Sequence, residues 1–551
     1  MNSKIDNQLA TALELEEKVR ENTFDLQTGY DPQADSWELI VKYYGDIESA
    51  IQEFTTEIRI LLSNFAIVTL PAQNVERLAA IPEVIAIEKP RKLYFSDMYA
   101  KEASCIEASF LQSENLTGEG VITAFIDSGI DYSHPEFLDE TGKTRILEIY
   151  DENENRIYTA REIDNAIEEG IELTGYDSNG HGTHIASVAA GSNIGVARRA
   201  SIIVVKLGSD NYYNSARLME GIDYVIRRAI EYGMPVVINI SNGNNYGAHD
   251  GNGVLEQYLD AVAYIWRCSI VIACGNDASI NRHAGGIVED VTIKESFAVG
   301  RFESFLDIQI WKNYVDDFLV ELVYPDGNRL QVSKTFGEVS KAVYRQTSIY
   351  VYYGEPSPFS INQQILIQML GNNGYINSGL YFIELIPVNI KSGEYNMWMS
   401  ANPVSKDTAF INSNPFTTLT IPSTALNAVS VGAYNSATNA YADFSGRGYT
   451  VGIMTVKPDI MAPGVNITGA KNGGGYVTRT GTSVAAPFVT GSAAIIMEWG
   501  IVRGNDLYMY GEKLKAVLLR GAVPLPGISI PSANAGWGKL CLKNSIHKIS
   551  I

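Results

Sequence analysis

Three stretches place a hydroxyl, a carboxylate and an imidazole in settings that suit proton transfer. The first, Arg479-Thr480-Gly481-Thr482-Ser483-Val484-Ala485-Ala486-Pro487, reads as a turn presenting Ser483 at the start of a helix. Gly481 lets the backbone bend without a Cβ clash. Pro487 falls in what reads as the first turn, where a missing N–H costs little, and the apolar run Phe488 to Trp499 continues the helix. A helix N-terminus offers free N–H groups and the positive dipole end, which favour a developing anion. An ordinary N-cap would look the same on this stretch alone.

The carboxylate is Asp127, in Ile126-Asp127-Ser128-Gly129-Ile130 at the end of the strand-like run VITAFI. A carboxylate at a strand mouth can orient an imidazole, or it can close a turn on its own backbone. The imidazole is His181, in Asn179-Gly180-His181-Gly182-Thr183-His184. Gly180 and Gly182 leave room around it, a helix follows over Ile185 to Ala190, and Gly191 reads as a C-terminal glycine. His181 is expected to face outward and His184 to pack inside. A zinc reading of this pair lacks a glutamate base and a third ligand.

The positioning elements are set by periodicity. Val121 to Ile126, Ser201 to Lys206, Pro235 to Ile240 and Ser269 to Ala273 read as strands, with helices over Leu218 to Tyr232 and Leu255 to Trp266. Continuous β-branched runs between helices imply an α/β fold with a parallel sheet covered on both faces. Functional groups then gather beyond the carboxyl ends of the strands. Residues 1–96 read as a small α+β domain of propeptide type, with strands at Trp37 to Tyr44, Ile58 to Leu61, Phe65 to Leu70 and Val84 to Glu88, and a helix over Ala72 to Ala80. Residues 97–286 form the first part of the α/β domain. Residues 287–415 lose helical periodicity and read as an all-β insertion, a sandwich or jelly roll, with turns at Pro325-Asp326-Gly327-Asn328 and Gly371-Asn372-Asn373-Gly374. The α/β pattern resumes over residues 416–551 with Asn427 to Tyr434.

Composition narrows the function classes. A chain of 551 residues with 46% apolar residues is globular and large enough for several domains. Its net charge of −21 argues against nucleic acid. Four cysteines, Cys105, Cys268, Cys274 and Cys541, form no metal spacing and are expected as free thiols. The first twenty residues lack the apolar core of a signal peptide, and no run suggests a membrane span. Synthesis without Sec export is expected, in the cytoplasm, with release by another route left open.

The order Asp…His…Ser with these flanks resembles the subtilisin-like serine proteases, the subtilases. The resemblance covers residues 105–286 and 416–540. It rests on Asp127-Ser128-Gly129, His181-Gly182-Thr183-His184, Gly481 to Pro487, and Lys457-Pro458-Asp459-Ile460-Met461-Ala462-Pro463-Gly464. It implies a serine endopeptidase in which His181 takes the proton of Ser483, Asp127 fixes the histidine, and Asn276 donates to the oxyanion. Ser241, Asn242 and Gly243 would pair with an extended substrate, and Gly243 and Gly275 would line the S1 pocket. Asn242 departs from the usual Ser-Leu-Gly, and Phe488 stands where many members have histidine. The β insertion resembles that of clostridial germination proteases, which cut a spore cortex hydrolase precursor and carry an N-terminal propeptide. Self-processing is expected between Tyr94 and Glu102, with a protein or peptide substrate and the chain's own propeptide as partners. No cofactor is expected. Calcium, common in the family, has no placeable site: Asp151-Glu152-Asn153-Glu154 reads as a solvated loop. A silent scaffold that binds a partner is the alternative. An α/β-hydrolase lipase would need a G-x-S-x-G elbow, which Ser483 lacks.

Overall fold

A computed structural model describes residues 4–15, 26–95, 106, 115–208, 212–332, 339–355, 360–399, 405–452 and 455–549. The chain divides into two compact units. One comprises Leu93–Gly243, Leu255–Asn276 and Leu419–Ile551; the other comprises Met1–Lys92, Asn244–Val254 and Asp277–Thr418.

The first unit is built on a nine-stranded sheet. Its order is Ala440–Tyr441, Val429–Asn435, Cys268–Ala273, Val236–Ile240, Ile122–Asp127, Ser201–Lys206, Ile146–Asp151 and Arg156–Thr159, with Ile460–Pro463 beside Val429–Asn435. The central pairs are parallel: Phe125 lies opposite Val204 on one side and Asn239 on the other. Successive residues of a strand point to opposite faces. Phe125, Val204, Val237 and Val271 share a core with the helices His181–Ala190 and Thr482–Met497. Ile126 and Val205 instead approach Gly221 of the helix Ser215–Tyr232. Both faces are therefore covered, as continuous apolar strands require. From Ile122–Asp127 the chain passes to Ile146–Asp151 and the edge strand Arg156–Thr159, returns to Ser201–Lys206 between them and its start, then crosses to Val236–Ile240 on the other side. Asp127 thus ends the strand at which the winding reverses, where crevices form in such sheets.

Several expectations shift. The serine helix begins at Thr482, so Pro487 is inside it and not in its first turn. Gly191 ends the histidine helix in extended backbone (φ −61°) and not in a left-handed cap; a Cβ there would collide with Glu136 and the Ser187 carbonyl. The helix expected over Leu255 to Trp266 stops at Val262. Asp151-Glu152-Asn153-Glu154 is the turn of the antiparallel hairpin Ile146–Asp151 and Arg156–Thr159, where Asp151 accepts the Asn153 N–H at 3.0 Å. Thr482–Val502 is long and apolar enough to cross a bilayer, but 89% of its most apolar window is buried inside the protein, as in a core helix.

The second unit joins an α+β domain to a β-sandwich. Ser36–Tyr43 is the centre of a five-stranded sheet, flanked by Phe65–Pro71 and Val84–Glu88, both antiparallel to it. The helices Asn7–Glu14 and Ile47–Ile51, not foreseen, cap themselves through Asp6 and Asp46. The sandwich has a six-stranded and a five-stranded sheet, and the first begins at His283–Ile287, a few residues ahead of the expected boundary. Ile308, Ile367 and Val351 of one sheet share a core with Phe318, Tyr381 and Ile383 of the other. The turn Pro325 to Asn328 joins two antiparallel strands.

Candidate active site

Asp127 and His181 meet at 2.7 Å through Oδ1 and Nδ1, and both are buried, at 1% and 0% exposure. His181 is the first residue of its helix and faces inward, contrary to expectation, because its ring turns to Asp127, the last residue of the strand Ile122–Asp127. Gly182 permits that approach. A Cβ on it would run into the Gly129 carbonyl and sit 3.2 Å from Asp127 Oδ1. The loop ahead of the helix is held by Asp177, which the sequence did not single out. One Asp177 oxygen accepts from Ser128 Oγ (2.8 Å), Gly180 N–H (2.7 Å) and Asn179 N–H (3.1 Å). The other accepts from Thr183 N–H (2.8 Å) and Thr183 Oγ1 (2.7 Å). Ser128 in turn donates its N–H to Asp127 at 2.8 Å and accepts the Gly182 N–H at 3.0 Å. An aspartate four residues before a histidine was the only signal available, and it resembles any turn aspartate.

His184 packs inside as expected. Its Nε2 lies 3.1 Å from the Ile467 carbonyl, and burial pushes its pKa down to about 3, so it is neutral. Cys274 and Cys268 are buried thiols raised to about 12 by burial, far from a nucleophilic range. Cys105 lies outside the described residues.

Ser483 is the second residue of its helix and 1% exposed. Gly481 precedes the helix at φ 154°; its absent Cβ would lie 3.1 Å from Ser483 Oγ and 3.2 Å from Asn276 Nδ2. The hydroxyl and that amide therefore border the same small space. Asn276 is fixed by its other amide atom, which accepts from Thr482 N–H at 2.9 Å and Thr482 Oγ1 at 3.1 Å. With the oxygen engaged inward, the NH₂ is the atom left to face a ligand. Ser241 donates to the Ser483 carbonyl at 3.2 Å and accepts from Asn239 Nδ2 at 2.7 Å. That carbonyl is the one a residue at position 487 would normally bond through its N–H, and proline has none.

Asn242–Gly243 forms a short strand, and its partner is the chain's own strand Lys92–Phe95: Asn242 lies opposite Phe95 and Gly243 opposite Tyr94, antiparallel. Gly243 and Gly275 both abut Thr420, a residue the sequence did not suggest because the insertion separates it from them. Residues 96–102 of the expected processing window lie outside the described residues. Among the described residues, no group of three or more His, Cys, Asp or Glu side chains could hold a metal ion.

A doubly wound sheet with a buried Asp–His pair at its switch point, and a serine beside an oriented asparagine amide, defines a subtilisin-like hydrolase. Residues 118–360 and 371–538 match the Subtilase family, and the chain belongs to it. Residues 3–91 match the Csp protease B prodomain. The CspB protease of Clostridium perfringens is similar in structure, with TM-score 0.76 and 33% identity over 80% of this chain and 96% of that one. The Bacillus subtilis minor extracellular protease Vpr is 23% identical over 88% of this chain and 60% of its own length. A subtilisin-like serine protease of Penicillium citrinum, Pen c 1, is 28% identical over 43% of this chain and 53% of its own. The chain thus spans about half to three fifths of these curated relatives.

Proposed function

We propose that this chain is a serine endopeptidase that cuts its own N-terminal segment and then activates another protein by limited proteolysis. His181 takes the Ser483 proton as Oγ attacks the substrate carbonyl. Asp127 holds the imidazole in the tautomer with Nδ1–H toward Oδ1 and steadies the imidazolium. Asn276 Nδ2 and the Ser483 N–H stabilise the oxyanion. The C–N bond breaks, His181 returns the proton to the leaving amine, and water then releases the acyl group through the same residues.

The observation that carries this reading is the pairing of Lys92–Phe95 with Asn242–Gly243. Strand addition is how an extended peptide is held with little side-chain selectivity, and here the chain's own strand pairs with the two residues that follow Ser241, whose hydroxyl bonds the Ser483 carbonyl. A germination-type precursor as substrate, and a cytoplasmic or spore-associated setting, rest on the prodomain match and the resemblance to CspB proteases. No cofactor enters the mechanism. Fluorophosphonate labelling that vanishes in Ser483→Ala is the expected result, with the wild type losing its N-terminal segment and the variant retaining Met1. Labelling that survives the substitution, or equal trimming of both, overturns the reading in favour of a silent scaffold.

A further inference from the structure

We propose that Thr420 closes the pocket beside the reacting carbonyl, so that cleavage follows a small residue. This deepens the endopeptidase reading and rests on it. A peptide paired with Asn242–Gly243, with its carbonyl between Ser483 and Asn276, has one direction for the side chain of the acyl residue. That direction is the slot between Gly243, on the pairing strand, and Gly275, next to Asn276. Two glycines facing a slot normally leave it open.

Here Thr420 fills it from both sides, with the Ile421 carbonyl 2.7 Å from where a Gly243 Cβ would lie. A Cβ on Gly243 would lie 2.7 Å from Thr420 Oγ1 and 3.0 Å from Thr420 Cβ. A Cβ on Gly275 would lie 2.6 Å from the same Oγ1 and 3.0 Å from the same Cβ. Neither glycine can therefore carry a side chain, and the room they vacate is already occupied. Thr420 cannot easily swing away. It is 6% exposed, its N–H donates to the Cys274 carbonyl at 3.0 Å, and its own carbonyl accepts from Ser423 N–H at 2.8 Å and Ser423 Oγ at 2.6 Å. A β-branched side chain also has few rotamers to yield into. What remains suits a methyl or hydroxymethyl group; a leucine or an aromatic ring would overpack it.

The chain's own sequence offers a sharp test. Between Tyr94 and Glu102 only Ser96 and Ala100 are small. N-terminal sequencing of the processed wild-type chain should therefore read Asp97 or Lys101. In trans, peptides with Ala or Ser as the acyl residue should be cut at least about 10²-fold more efficiently than matched Leu, Phe or Tyr peptides. Thr420→Gly should gain cleavage after Leu and Phe. Processing after Tyr94, Phe95, Met98 or Tyr99, or comparable wild-type rates for Ala and Phe peptides, overturns the closed pocket while leaving the endopeptidase reading standing. Absence of any Ser483-dependent cleavage overturns both. The wild-type peptide comparison decides the matter even if Thr420→Gly fails to fold.

Discussion

Asn276 does two jobs with one amide: its oxygen holds Thr482 in place, and its nitrogen faces the space that Ser483 Oγ borders. In the proposed mechanism, replacing it with Ala removes one oxyanion donor, and kcat should fall by about 10²–10³ with KM little changed. Steady-state kinetics would check this, with a melting curve to confirm that the Thr482 contact is not what failed; an unchanged kcat would remove Asn276 from the mechanism. His184 governs a different property. It is neutral when folded, because burial outweighs the Ile467 hydrogen bond and lowers its pKa from 6.5 to about 3. Below about pH 6.5 the unfolded chain binds a proton that the native chain refuses until pH is near 3. Stability therefore falls as pH drops through that window, by at most about 1.4 kcal/mol per pH unit from this group. His184→Gln should reduce the slope of the urea midpoint against pH between pH 6.5 and 5.5, above the ordinary carboxylate range. An identical slope in both proteins would show that His184 is not the source.

The serine helix is an element under a specific burden, since Pro487 lies inside it and removes a hydrogen-bond donor one turn from Ser483. Ser241 supplies the missing bond to the Ser483 carbonyl. Ser241→Ala should destabilise the protein by about 1–3 kcal/mol, the usual penalty for a buried group left unpaired. It should also lower kcat, because the Ser483 backbone loses an anchor. Denaturant midpoints and kinetics measured together would show both effects, and a neutral variant would mean the carbonyl is satisfied otherwise. At this scale the sequence was informative about strands and less so about how elements start. The β-branched runs VITAFI, SIIVVK and PVVINI lie within a residue of their observed strands, since period and composition agree there. The motifs around Asp127, His181, Ser483 and Asn276 are short and local, and the structure brings Asp127 to His181 and Asn276 Nδ2 to the space that Ser483 Oγ borders. The helix Asn7–Glu14 escaped notice because its apolar face is short and its N-cap, Asp6, looks like one more charged residue in a polar leader. Asp177 and Thr420 escaped for another reason: their roles are set by contacts across the fold, which no local pattern encodes.

At the scale of the whole chain, the α+β domain and the β-sandwich share a hydrophobic core. Leu9, Trp37 and Leu39 of the N-terminal segment cluster with Tyr350, Tyr352 and Leu366 of the insertion, all at most 3% exposed. The Val339 N–H also donates to Glu14 at 3.1 Å. This attachment does not depend on the peptide bond that joins the N-terminal segment to the α/β domain. A core of this kind holds two pieces together by apolar burial, at about 25 cal/mol per Å² removed from water. Cleavage after the tail strand should therefore leave the N-terminal segment bound, and both fragments should elute together on size exclusion under native conditions. Leu366→Ala should loosen the association by about 2–5 kcal/mol, the range for truncating a buried leucine. The fragment of residues 1 to about 96 should then separate on dilution, detected as a second, smaller peak. A wild-type fragment that departs at once after cleavage would show that the shared core exists only while the chain is intact. Retention in the Leu366→Ala variant at the lowest measurable concentrations would place the attachment elsewhere, with Tyr350 and Tyr352 the next positions to truncate.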